Sequence, residues 1–303
     1  MSELKQANYS YIFISLIFAM IAFASRAHRW NMLIHPLGYK PRFSNTFYSL
    51  MFGYLANLAL PRLGEVSRAV ALNRAEKIPL DAVIGTVIAE RAIDVLMLFF
   101  CIVLALIVQF DRISLFLKNN LIVPLSEKIS NTIHSHFFIP VIIAGIIFLA
   151  VLIFILRKRK FSSVLSQKIN LFFKGIFQGL ITVIKLKNHT AFIFHTFLIW
   201  FLYWLVSYIC FFSLDATSGL DMKAGIFVLV VGGLGMTAPV QGGIGTYHLM
   251  VIQGLFMFGV EETGAKSYAI IVHASQTLLV ILVGVISFLL LSAFNKKSGH
   301  ASA

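Results

Sequence analysis

Two apolar segments of this chain are broken by proline and glycine in the same way. The first covers residues 52–68 and reads FGYLANLALPRLGEVSR, and the second covers residues 231–248 and reads VGGLGMTAPVQGGIGTYH. Proline removes a helical hydrogen bond, so each segment is predicted to be two short helices joined by a break. In a membrane protein, a pair of such breaks in corresponding parts of two halves points to a transport site.

The composition places the chain in a membrane. Hydrophobic residues make up 59% of the 303 positions and charged residues only 12%, whereas soluble domains carry roughly 25% charged residues. The mean hydropathy is +0.88. Since a span needs roughly 20 apolar residues, the chain has room for about six full spans beside the two broken segments. We therefore predict one all-α, polytopic integral membrane domain over residues 1–303.

The formal net charge of +13 is carried mostly by residues between the apolar runs. This distribution indicates loops that face anionic lipid headgroups. We therefore expect membrane lipids, and no nucleic acid, as partners, and the sequence leaves a homo-oligomer open. Cys101 and Cys210 lie inside apolar runs and predict neither a disulfide nor a metal site.

Loop charges predict that the two broken segments enter the membrane from opposite sides. The predicted segments are spans over residues 9–27, 80–109, 137–156, 190–214 and 268–294, hairpins over residues 45–72 and 223–260, and a cytoplasmic amphipathic segment over residues 157–188. Basic residues at 157–160 and 296–297, with Arg26 and Arg29 in the first connection, mark the cytoplasmic side, and the C-terminus with it. Because the hairpin arms are short, we predict re-entrant hairpins arranged as inverted repeats, with their breaks at a polar cavity.

Three ionisable residues share the long helix over residues 80–109. Glu90 and Asp94 are four positions apart, and Arg91 is three positions before Asp94, so the three side chains are close together on the helix. Charges at bilayer depth are costly and usually functional. A salt-bridge network that pins this helix to Arg62, Glu65 or Arg68 is the structural alternative, and both roles are compatible.

The first break carries charge. Arg62, Glu65 and Arg68 lie where a helix restarts after Gly64. Free backbone N–H groups and the positive end of the helix dipole would meet there. Two guanidinium groups beside such a helix start suit a phosphate group.

The second break carries glycines and neutral polar groups. Gly242, Gly243 and Gly245 could form a nest of backbone N–H groups, or could instead serve close helix packing. Polar side chains elsewhere in the apolar runs would complete a polar lumen, although each alone could be an interhelical hydrogen bond. The predicted substrate-binding residues are Asn57, Arg62, Gly64, Glu65, Arg68, Glu90, Arg91, Asp94, Thr237, Gln241, Gly242, Gly243, Gly245, His248, His273 and Gln276.

The combination of these motifs resembles the lysylphosphatidylglycerol synthase transmembrane family. The resemblance rests on residues 57–68, 90–94 and 239–245, with residues 26–30 before the Pro-Leu-Gly at 36–38, and it extends over residues 9–292. The chain departs from the family at Leu60-Pro61-Arg62, where Pro-Gly-Arg is frequent. The resemblance implies a flippase-like membrane domain that moves a phospholipid between leaflets of the bacterial cytoplasmic membrane. We expect a stand-alone member without the C-terminal synthase domain.

Three functions follow as hypotheses. The first is a flippase-like transporter of a phospholipid or polyprenyl-type lipid, in which Arg62, Arg68 and Arg91 hold the phosphate. The second is a transporter of a small anionic solute with the same site chemistry. The third is a lipid-modifying enzyme that uses a carboxylate or histidine as acid or base. The sequence has no convincing enzyme, nucleotide or metal motif, so we expect a transporter without catalytic residues or cofactors.

Overall fold

The computed structural model describes residue 3 and residues 6–61, 63–117 and 186–300. The predicted site residue Arg62, the predicted span over 137–156 and nearly all of the predicted segment over 157–188 lie outside this set. Contacts divide the chain into two compact units: Met1–Val108 with Gln178–Ala303, and Gln109–Phe177. The predicted single domain over 1–303 stays a prediction.

The described residues are helical and contain no strand, which confirms the all-α prediction. The helices of the first unit are α1 (Tyr9–Ile34), α2 (Phe43–Ala59), α3 (Leu63–Glu76), α4 (Leu80–Val108), α6 (His189–Phe211), α7 (Asp215–Ser218), α8 (Met222–Thr237), α9 (Thr246–Phe256) and α10 (Glu262–His300). In the second unit the structure describes α5 (Phe110–Leu117). Short 3-10 turns cover His35–Leu37 and Gln241–Gly243.

Among the described residues, four helical segments are long and apolar enough to cross a bilayer. They are Tyr9–Leu37, Leu80–Val108, His189–Phe211 and Glu262–Ala293. With 23 to 32 residues each, they reach about 35 to 48 Å at 1.5 Å per residue, beyond the roughly 30 Å of a hydrocarbon core. The chain is therefore a multi-pass helical membrane protein.

The first span extends further than its apolar residues indicate. The predicted span over residues 9–27 is the first part of α1, which continues to Ile34. Arg26 and Arg29 therefore lie within a helix, where their exposed fractions are 7% and 0%. Their placement in a connection was wrong, because they lie within a helix and each has carboxylate partners inside the protein; the side of the membrane that they face stays a prediction.

Both broken segments are helix pairs whose arms pack closely through glycine. Helices α2 and α3 are separated at Leu60 and Pro61, where Leu60 is extended with φ −140° and ψ 122°. A side chain on Gly64 would collide with the Gly53 carbonyl and with Asn57. In the second pair, a Cβ on Gly235 of α8 would lie 2.8 Å from the Cα of Tyr247 of α9. Any larger residue at these glycines would push the arms apart.

Two apolar clusters hold the spans around these pairs. One gathers Trp30 of α1, Leu72 of α3 and Val83 of α4. The other gathers Phe211 of α6 and Tyr268 of α10 with residues of α8 and α9. The first pair is therefore fixed to α1 and α4, and the second to α6 and α10.

Candidate functional site

A buried glutamate joins four arginines from three helices. Glu90 of α4 is fully buried. Its Oε1 atom lies 2.7 Å from Arg26 Nη2, 3.3 Å from Arg29 Nη2 and 3.0 Å from Arg91 Nη2. Its Oε2 atom accepts a hydrogen bond of 2.8 Å from Nη1 of Arg68. One carboxylate therefore ties α1 and α3 to α4.

Asp94, one turn along α4, holds three of the same arginines. Its Oδ1 atom accepts a 2.6 Å hydrogen bond from Arg29 Nη2. Its Oδ2 atom accepts one of 2.8 Å from Arg26 Nη2 and lies 3.1 Å from Arg91 Nη2. Arg26 and Arg29 are thus each shared by two carboxylates, as buried charges must be to offset desolvation.

Glu65, in the first turn of α3, forms the outer edge of this network. Its Oε2 atom lies 2.7 Å from Arg68 Nη2 and its Oε1 atom 3.4 Å from Arg91 Nη1. The side chains of Glu65 and Arg91 are 33% and 36% exposed, whereas Arg68 is 2% exposed. The network therefore has a closed inner part and an accessible edge.

Neighbouring aromatic and hydroxyl groups fix the inner arginines. The Arg68 guanidinium lies 4.7 Å from the centre of the Trp30 ring, close enough for a cation–π interaction. The Trp30 indole N–H donates to the Thr86 hydroxyl at 2.9 Å. Arg26 Nη1 donates to the Tyr203 hydroxyl of α6 at 3.1 Å. These contacts leave the inner arginines little freedom to move.

The cluster carries an excess of positive charge. Its described members are the arginines Arg26, Arg29, Arg68 and Arg91 and the carboxylates Glu65, Glu90 and Asp94. Four cations against three anions leave one net positive charge. Since unpaired charge in a low dielectric is expensive, an anion at the accessible edge would lower the electrostatic energy.

Asn57 closes the first break rather than presenting its amide oxygen to a ligand. Its Oδ1 atom accepts the Gly64 backbone N–H at 2.7 Å. A free N–H group that the sequence predicted at this helix start is therefore satisfied within the chain. Glu65 supplies the negative charge that the start of α3 favours.

The second break is shaped by glycines with positive φ. Gly242, Gly243 and Gly245 have φ of 57°, 75° and 84°, a region that side chains disfavour. The Gly245 N–H donates to His248 Nδ1 at 3.3 Å, and the Gly242 carbonyl accepts from His273 Nε2 of α10 at 2.8 Å. The predicted nest therefore has some of its backbone groups paired with the two histidines.

Histidine and tyrosine rings pack together beside this break. The His248 and His273 ring centres are 4.7 Å apart, and those of Tyr247 and His273 are 5.1 Å apart. Thr246 donates its hydroxyl to the Gly235 carbonyl at 2.8 Å. The start of α9 is thereby held against α8 and α10.

The two breaks touch each other. Gln241 Nε2 donates to the Ala59 carbonyl at 3.3 Å, at the end of α2. A Cβ on Gly242 would lie 2.6 Å from Leu58 Cδ2. Two segments separated by more than 170 residues thus meet where each helix is interrupted.

The remaining predicted residues have less distinctive positions. Thr237 donates its hydroxyl to the Leu234 carbonyl of its own helix at 2.7 Å. The Gln276 Nε2 atom is buried and has no hydrogen-bond partner among the described residues. The network therefore brings together Glu65, Arg68, Glu90, Arg91 and Asp94, while the second break gathers Gln241, the glycines, His248 and His273.

Sequence reasoning missed Arg26 and Arg29 as members of the site. Their spacing of three residues within an apolar, helical stretch was the available signal, because it places both on one helix face. Tyr203, which accepts from Arg26, carried no comparable signal.

Comparisons with known proteins agree with this architecture. A family model described as the lysylphosphatidylglycerol synthase TM region matches residues 1–284. The chain is 31% identical over 94 residues to the UPF0104 membrane protein MJ1595 of Methanocaldococcus jannaschii. That match covers 30% of this chain and 28% of the relative, so the chain spans less than a third of that protein's length. No solved structure matches the chain significantly.

Proposed function

This chain belongs to the lysylphosphatidylglycerol synthase transmembrane-region family, and we propose that it is a flippase-like transporter of a phosphate-bearing lipid. The cargo is a phospholipid or a polyprenyl-type lipid, moved between the two leaflets. The observation that carries the proposal is the buried arginine network with one accessible edge.

The network has the chemistry that a lipid phosphate requires. Arginine guanidinium groups match phosphate oxygens in pairs. The net positive charge of the network's described members attracts the single negative charge of a phosphodiester. Arg91, 36% exposed, is the arginine that a headgroup reaches first, and Arg68 lies behind it.

The broken helices supply the path. Helices α2 and α8 have 17 and 16 residues, which gives about 24 to 26 Å, short of the roughly 30 Å of a hydrocarbon core. We propose that both pairs are re-entrant and form inverted repeats that enter from opposite faces, as in other transporters. The contact between Gln241 and Ala59 would then close the path at the membrane centre.

An apolar groove on α1 is compatible with a lipid cargo. It has a volume of about 420 Å³ and lies along α1, where Phe13, Ile17, Met20 and Ala24 line it together with Leu279 of α10. An acyl chain fits such a lining, because it has almost no polar surface to leave unsatisfied.

We propose transport rather than catalysis for the buried carboxylates. Both oxygens of Glu90 and both of Asp94 are paired with arginines, which leaves neither free to act as an acid or base on a substrate. The proposal includes the bacterial cytoplasmic membrane as location and a cytoplasmic C-terminus, on the basis of loop charge.

The test uses vesicles with two cargoes. Purified protein is reconstituted with a fluorescent phosphatidylglycerol, and outer-leaflet label is bleached with a membrane-impermeant reductant. Uptake of radiolabelled inorganic phosphate is measured in parallel vesicles. Movement of the lipid alone supports the proposal, and movement of phosphate alone identifies a solute transporter. Vesicles in which neither cargo moves faster than in protein-free vesicles contradict both.

A further inference from the structure

Glu65 sits where an external anion would bind. It is the third residue of α3, where the positive end of a helix dipole favours negative charge. Its carboxylate bridges Arg68 and Arg91, at 2.7 and 3.4 Å. A carboxylate of the protein thus occupies a position with the three features of a phosphate site: a helix start, a buried arginine and an accessible arginine.

The fit of this carboxylate is incomplete. Glu65 Oε2 and Arg68 Nη2 are close, but they are not aligned as a hydrogen bond, and each is buried without a hydrogen-bond partner among the described residues. Nε of Arg68 and Nε of Arg91 are likewise buried and unpartnered there. A phosphate group has more acceptor oxygens, in a tetrahedral arrangement, and can satisfy donors that a planar carboxylate leaves unused.

Glu65 is also the carboxylate of the network that can leave. Its side chain is 33% exposed, against 0% for Glu90 and 15% for Asp94. Departure of Glu65 leaves Arg68 still paired with Glu90, and Arg91 still paired with both Glu90 and Asp94. The inner network therefore survives the exchange of Glu65 for another anion.

We propose that Glu65 is an internal competitor that occupies a phosphate-binding site formed by Arg68, Arg91 and the start of α3. The phosphate of the cargo displaces Glu65 when it binds, and the return of Glu65 expels the cargo. This inference rests on the proposed transport function and assigns to it a step, release, that every transporter needs.

Binding to purified wild-type protein and to Glu65→Gln is measured by titration calorimetry in a neutral detergent. The probes are inorganic phosphate and dihexanoyl-phosphatidylglycerol, which separate a free anion from a lipid headgroup. Glu262→Gln is the matched control, since it removes a carboxylate that pairs at 2.5 Å with Lys266 and is 66% exposed. Helical content and thermal unfolding establish that each variant is folded.

Glu65→Gln is expected to bind at least one probe about tenfold more tightly than wild type, because the probe no longer competes with a charged carboxylate for Arg68 and Arg91. Its lipid transport is expected to slow, because release lacks its competitor. Glu262→Gln is expected to match wild type in both measurements. If Glu65→Gln does not fold, Glu65→Asp replaces it, with a smaller gain because the shorter carboxylate retreats from Arg91.

Two outcomes overturn the inference: no gain in affinity for either probe, or an equal gain in Glu262→Gln. Failure of the proposed function looks different. If Glu65→Gln binds a probe more tightly but the wild-type protein moves no labelled lipid, Glu65 still competes with phosphate for the site. The proposed transport function is then contradicted.

Discussion

Glu90 contacts all four described arginines of the network, and Glu90→Gln tests the contribution of its charge. The substitution keeps the size of the side chain, so it creates no cavity and changes only charge and hydrogen bonding. Asp94 still pairs with Arg26, Arg29 and Arg91 after the change. Glu65, which is 33% exposed, is then the carboxylate that remains for Arg68 among the described residues.

Glu90 pairs with four arginines, and the expected cost comes mainly from Arg68, which does not pair with Asp94 as the other three do. The Arg68–Glu90 pair joins side chains that are 2% and 0% exposed at 2.8 Å, and removing one partner of such a pair costs about 3–5 kcal/mol. The free energy of unfolding of Glu90→Gln should therefore fall by about 3–5 kcal/mol. Glu262→Gln, which breaks an exposed pair, should cost less than about 1 kcal/mol.

The assay is reversible unfolding in mixed micelles, with the mole fraction of sodium dodecyl sulfate as the denaturing variable and far-UV circular dichroism as the signal. The double variant Arg68→Gln with Glu90→Gln should be more stable than the sum of the two single losses predicts, by at least about 1 kcal/mol, because the two residues contact each other. A loss in Glu90→Gln no larger than in Glu262→Gln, or strict additivity of the pair, would refute this account of the network.

Two further predictions concern the breaks. Gly64→Ala should lower the free energy of unfolding by about 1–3 kcal/mol, because the new Cβ would meet Asn57 Cγ at 2.5 Å. The matched control in the same denaturation assay is Gly85→Ala. A Cβ at Gly85 has no neighbouring atom within 4 Å, so this variant should lose no stability. His273→Ala should slow lipid transport in vesicles and lower the free energy of unfolding by about 1 kcal/mol, because it removes the hydrogen-bond donor to the Gly242 carbonyl. His273→Gln should retain part of the transport rate and part of the stability. Equal transport by wild type and His273→Ala would contradict a role of this contact in transport.

Within the described residues, the sequence was sufficient to predict the long helices and the positions of both breaks. Long apolar runs fix α4 and α10 because few folds other than membrane spans can bury them. Proline and glycine locate the breaks for a similarly local reason, since Pro61 interrupts the backbone hydrogen bonds wherever the segment is placed. The predicted and observed bounds of the long helix agree to within one residue, 80–109 against Leu80–Val108.

The site itself depended on contacts between distant parts of the chain. Arg26 pairs with Glu90, 64 residues away, and an arginine at the end of an apolar run has the same sequence signature whether it faces headgroups or a buried carboxylate. The Gln241–Ala59 contact joins residues 182 positions apart. Such pairs are set by helix packing, which hydrophobic periodicity does not specify.

Some local chemistry could have been predicted and was not. Asn57 lies seven positions before Gly64, whose N–H it accepts, and free N–H groups at a helix start are commonly satisfied by nearby side chains. The structure thereby changes the meaning of a polar residue in an apolar arm: Asn57 stabilises the break.

We propose that the arginine network beside the first break carries a lipid phosphate across the membrane. The most direct test of this claim is the rate at which fluorescent phosphatidylglycerol exchanges between leaflets in vesicles that hold wild type, Arg91→Gln or no protein. We predict faster exchange with wild type than without protein, and at least about a tenfold loss in folded Arg91→Gln, since a charged hydrogen bond to phosphate contributes about this much. Equal exchange rates for wild type and Arg91→Gln would contradict the claim.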